Sequence, residues 1–265
     1  MKNLLLLEWR KVKYPVLIVA ALCTALSIYL CSTVYQNYAL EEQLEAWEVG
    51  MRIFSLIFPL IAVLPTGWMM YYERKTGFIN YTLPRASKKD YLTAKWIVMS
   101  GSAFLMIFIP FFVGVLVVLF INNPIDVFYS RVNPDTGLGE PYVATNHIFG
   151  SLFTEQPLIY GFLMSVWKGL LAVLIASMGF VFSLHFSNLF IILTGPFVYT
   201  ILENFILSVL PFEGYRLLTA FDPSSVLTTS LSPFSFIVGP ALALITILGI
   251  SFYMQYVKKS SIYSL

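Results

Sequence analysis

Two charges sit inside long apolar runs of this sequence, Lys168 and Glu203. An unpaired charge at the middle of a bilayer costs about 2.5–3.5 kcal/mol on insertion scales. Consecutive helices often touch, so a Lys168–Glu203 pair facing a bundle interior is the expected arrangement. Such a pair has two open roles: lining a substrate path or dimer seam, or neutralising itself to lock two helices. The remaining reactive residues are sparse. Cys23 and Cys31 fall on one helix, about 12 Å apart along its axis, too far for a disulfide. His147 and His185 are expected on opposite sides of the membrane. The sequence contains no GxxxxGK[ST] phosphate loop, no HExxH, no GxSxG and no metal-ligand cluster. The chain is therefore expected to be no enzyme, with no catalytic residue, no metal site and no cofactor of its own.

The other chemistry is basic. Between Tyr72 and Lys95 lie Arg74, Lys75, Arg85, Lys88, Lys89 and Lys95, opposed only by Glu73 and Asp90. A basic loop between two hydrophobic spans is left on the cytoplasmic side. Phe78, Tyr81 and Thr82 recur at helical spacing, as do Ile79 and Leu83, which predicts a short helix over about residues 73–82. Pro84 should stop it, and Ser87 with Asp90 forms a capping box from which a new helix starts near Lys88. A loop that merely sets topology needs none of this order: charged turn, aromatic-bearing helix, proline stop, basic cap.

The elements that hold these residues follow from composition. The chain has 265 residues, 58% hydrophobic and 11% charged, and a mean hydropathy of +0.79. A soluble domain of this size cannot hide so much apolar surface. The expected class is an all-α polytopic membrane protein, a single transmembrane domain with spans 14–35, 51–71, 96–121, 158–182, 188–207 and 234–256. Residues 1–13, with Trp9 among Lys and Arg, predict an interfacial helix. The net charge of +2 is too small to imply nucleic acid. Basic residues concentrate in 1–13, 72–95 and at Lys258–Lys259, which predicts a plasma-membrane protein with both termini cytoplasmic. Residues 122–157, rich in turn signals, predict an external loop with little regular structure. Residues 208–233 are apolar but broken by Pro211, Gly214 and Pro223, which fits re-entrant half-helices or an amphipathic external hairpin.

Glu73, Arg74, Lys75, Thr76, Gly77, then Leu83, Pro84, Arg85 and finally Lys95 resemble the pattern after the second span of ABC-2 type permeases. That resemblance implies a permease subunit of an ATP-driven bacterial exporter, with re-entrant helices between spans five and six. It implies a cytoplasmic coupling helix in 72–95, with Glu73, Arg74, Lys75, Thr76, Gly77, Phe78 and Tyr81 coupling to an ATPase. Two copies of a separate ATPase, which bind ATP and Mg, and a second permease chain, identical or related, would be the partners, within membrane lipid. The expected cargo is hydrophobic or amphipathic, an antimicrobial peptide in export or immunity. The rival expectation is a non-transporting six-span membrane sensor or assembly scaffold.

Overall fold

The computed structural model describes residues 1–79, 87–129, 131–132, 139–140, 142–143, 147–225, 231–253 and 256. Helices account for about four-fifths of them. Six helical stretches are long and apolar enough to cross a membrane: Lys2–Asn37, Glu45–Lys75, Lys88–Phe120, Pro157–His185, Leu189–Val209 and Pro233–Phe252. One antiparallel pair of two-residue strands, β1 (Arg131–Val132) and β2 (Gly139–Glu140), lies in the long connection after the third stretch.

Helix α1 (Lys2–Thr33) differs from the expectation of an interfacial piece followed by a span. It is one helix with Pro15 inside it, about 48 Å long at 1.5 Å per residue. That exceeds a hydrocarbon core of about 30 Å, so one end must project beyond it. The first turns do not swing away because Glu8 and Lys11 are tied to neighbouring helices, as described below. The second stretch starts earlier than the hydropathy suggested, as α2 (Glu45–Val63). Glu45 and Glu48 in its first turn complement the helix dipole, and the Glu45 carboxylate accepts the Glu41 and Glu42 amides. It breaks at residues 64–67, where the Pro65 carbonyl accepts the Trp68 indole N–H, and resumes as α3 (Trp68–Lys75).

The helix predicted over 73–82 is broken. Its backbone turns at Gly77, whose φ of 70° suits glycine and ends α3 as a left-handed C-terminal residue. Phe78 and Ile79 are helical again, while Tyr81, Pro84 and Arg85 lie outside the described residues. Helix α4 (Lys88–Phe120) begins as the sequence predicted, with the Ser87 hydroxyl accepting the Asp90 amide. It is the central post, packed most extensively on α1 and on α6 (Pro157–His185). Gly114 of α4 makes this approach possible, since a Cβ there would stand 2.8 Å from the Ser27 hydroxyl of α1. Ser27 in turn donates to the Pro110 carbonyl at 2.7 Å.

The described residues of the connection after α4 are tied back to the bundle. Leu40 bridges Val127, Gln43 bonds the Val118 and Asn123 carbonyls, and α5 (Gly150–Glu155) packs beside α6. After α7 (Leu189–Val209) the chain folds into short pieces: a 3-10 turn at Glu213–Tyr215, α8 (Leu217–Phe221), and another 3-10 turn at Pro223–Ser225. A 3-10 turn at Pro233–Phe236 then leads into α9 (Val238–Phe252). Leu217, Thr219, Ala220 and Phe221 are all buried among the longer helices. Gly239 of α9 crosses α8 so closely that a Cβ would stand 2.5 Å from the Leu217 nitrogen.

Candidate functional site

Charge collects at the two ends of the bundle. The basic end holds the start of α1, the end of α3 and the start of α4. The acidic end holds the start of α2 and the segments that connect α4 to α6 and α7 to α9.

At the basic end, α1 contributes Glu8 and Lys11, α3 contributes Glu73, and α4 contributes Lys95. Glu8 meets Lys11 at 2.7 Å and Lys95 at 2.7 Å through its separate oxygens. Glu73 meets Lys11 at 2.5 Å and Lys95 at 2.6 Å in the same manner. The result is a closed ring of alternating sign with no net charge. The Tyr91 hydroxyl, one turn before Lys95, donates to Glu73. Glu8 and Lys95 are fully buried. Ion pairs removed from water roughly repay their desolvation when every carboxylate oxygen finds a donor, and this ring meets that condition.

The predicted coupling residues therefore divide. Glu73 is structural in geometry, joined to α1 and α4. Arg74 donates to the Leu184 carbonyl at 3.3 Å and to the Phe186 carbonyl, so it caps the last turn of α6. Lys75 and Thr76 are exposed, the Thr76 hydroxyl returning to the Tyr72 carbonyl. Gly77 makes the turn. Phe78 is 37% exposed with the Lys11 ammonium 4.7 Å from its ring centre, and Tyr81 lies outside the described residues.

Lys168 and Glu203 are not brought together. Among the described residues no ion pair joins them. Both Glu203 oxygens accept the Leu217 amide, at 2.9 and 3.2 Å, and so cap the first turn of α8. A carboxylate at a helix start is stabilising, and the chain reversal after α7 returns that helix start to Glu203. Lys168, only 4% exposed, instead sits among three rings: Phe111 at 4.5 Å, Trp47 at 4.7 Å and Phe221 at 5.2 Å from their centres. The carboxylates of Asp222 and Glu48 lie within electrostatic range. The rings support one another, with Phe221 stacked on Phe58 at 4.1 Å and edge-on to Phe111 at 5.4 Å. Trp167, beside Lys168 in sequence, donates to the Ala220 carbonyl at 2.9 Å. Helix α8 is thus gripped from α6 by Trp167 and Lys168 and from α7 by Glu203.

Sequence reasoning missed Glu8, Lys11, Tyr91 and the aromatic partners of Lys168. A signal for Glu8 existed, since it is the sole acid among Lys2, Arg10, Lys11 and Lys13. None existed for Trp47, Phe111 or Phe221, which read as ordinary packing residues. Cys23 and Cys31 are buried free thiols, and no group of His, Cys, Asp and Glu among the described residues could hold a metal.

In comparisons with known proteins, no family model, no curated protein and no solved structure matches this chain.

Proposed function

We propose that the chain is the membrane subunit of an ATP-driven exporter of the ABC-2 type, multi-pass in a bacterial plasma membrane with its basic end in the cytoplasm. The observation that carries this reading is the ring of Glu8, Lys11, Glu73 and Lys95. The two roots of the basic loop, Glu73 and Lys95, are joined to each other and to α1. A force applied to the loop therefore reaches three spans together, which is what a mechanical input from a separate ATPase requires. The loop supplies a docking surface in Lys75, Thr76 and Phe78, all exposed. Within 208–233, the burial of α8 among the spans supports a re-entrant element beside the transport path. The cargo is hydrophobic or amphipathic, with an antimicrobial peptide the class proposed.

Aromatic anchors at an interface centre contribute about 2 kcal/mol or more each. Phe78→Ala with Tyr81→Ala should therefore abolish co-purification of the chain with its proposed partner ATPase, while the chain remains inserted and folded. If the double variant still retains the ATPase and transports normally, the coupling assignment fails. The scaffold reading is then the better one.

A further inference from the structure

At the acidic end, His147 bonds in two directions. Its Nδ1 lies 2.8 Å from the Ile148 carbonyl, and its Nε2 lies 3.1 and 3.3 Å from the two Glu48 oxygens. A carbonyl and a carboxylate both accept, so the arrangement is fully satisfied when both ring nitrogens donate, as they do in the imidazolium. Phe153 of α5 lies against the ring at 4.1 Å.

The contact joins α2 to a segment held under strain. Phe149 has a φ of 57° and ψ of 37°, left-handed backbone that a bulky residue rarely adopts and that persists only where neighbours enforce it. The same segment lines an open apolar cavity of about 430 Å³, bordered by Phe149 and Leu152 on one side, Tyr160 and Trp167 of α6 on another, and Phe236 and Ile237 before α9. We propose that His147 and Glu48 form a proton-dependent clasp, which holds residues 147–155 in place as one wall of this cavity.

The two carboxylates of α2 near the ring both favour its charged form. From α2 it faces Glu48 and, farther off, Glu45. From α6 it faces Tyr160, whose hydroxyl reaches Glu48 at 3.4 Å. The Glu41 carboxylate accepts the nearby Tyr142 and Val143 amides. Farther off, Asp222 of the turn after α8 acts on Tyr160, and Lys168 of α6 lies within electrostatic range of both Asp222 and Glu48. Burial opposes the charged imidazole, but the Glu48 hydrogen bond and charge outweigh it, so the pKa of His147 is raised above its ordinary value. A raised folded-state pKa means that the clasp is fully formed below the unfolded histidine value and is lost as pH rises through the folded one.

The chain has two histidines, so ¹³C-histidine NMR of the full chain in nanodiscs resolves both. His147 should titrate above the ordinary histidine midpoint, and Glu48→Gln should return it toward that midpoint. Hydrogen exchange, corrected for intrinsic rate, should show protection of residues 149–156 falling about tenfold or more across that titration. Protection within α6 should hold. His147→Gln should leave 149–156 equally exchange-prone at all pH values. A His147 midpoint at or below the ordinary value overturns the proposal. So does a raised midpoint with pH-independent protection, or a protection change that survives in His147→Gln.

Discussion

Lys95 and Lys168 are both buried lysines on long apolar helices, and the fold surrounds their ammonium groups by different means. Lys95 is held by two carboxylates at 2.6–2.7 Å, in a ring where each acid also serves Lys11. Lys168 has no carboxylate within ion-pair distance among the described residues and rests on the faces of Trp47, Phe111 and Phe221. The first arrangement is directional and makes its partners depend on it, because removing the cation strands two acids. The second is diffuse, and its partners are rings that pack well against any apolar chain. Burial alone therefore says little about what a lysine is worth. The answer depends on what its neighbours would face without it.

Lys95→Met should be the most damaging change, because it leaves the buried Glu8 carboxylate short of one cation and Glu73 likewise. A loss of about 3–5 kcal/mol is expected, measured as detergent-solubilised unfolding against the unmodified chain. Lys168→Met should cost less, about 0.5–2 kcal/mol, since cation–π attraction is the main loss and the methionine stem fills the same box. An equal or greater loss at Lys168 would break the comparison, and would mean that Asp222 and Glu48 depend on that cation as the ring acids depend on Lys95. Lys11→Met should be the mildest, below about 1 kcal/mol, because its side chain is 26% exposed and water can take over part of its role. The same unfolding series checks the order, and Lys11 exceeding Lys168 would show that the ring behaves as one unit.

How much of this was legible in the sequence follows the range of the signal. Apolar runs about 20 residues long announce spans, and six span-length helices are found where six runs were read. The Ser87 start of α4 was legible because its partner, Asp90, is three residues away. The end of α3 was equally local, yet the aromatic spacing of Phe78 and Tyr81 outweighed Lys75-Thr76-Gly77, a helix terminus in plain view. The partner of Lys168 was not legible. Proximity in sequence favoured Glu203, but Glu203 is claimed by a helix start made when the chain doubles back after α7. Phe111 and Phe221 reach Lys168 from 57 residues before it and 53 after it, a match that only the packed bundle defines.

Helix α1 runs unbroken from the ring at Glu8 to the close approach at Ser27, about 28 Å along its axis at 1.5 Å per residue. It can be viewed as a beam clamped near both ends. Tilting a straight rod of that length by about 5° displaces its far tip by about 2.5 Å, close to half the pitch of a helix. Pro15 is the beam's softest section, since one backbone hydrogen bond is missing there. Bending concentrated at Pro15 would leave the Ser27 clamp still, whereas a stiff beam would shear Ser27 across the Pro110 carbonyl.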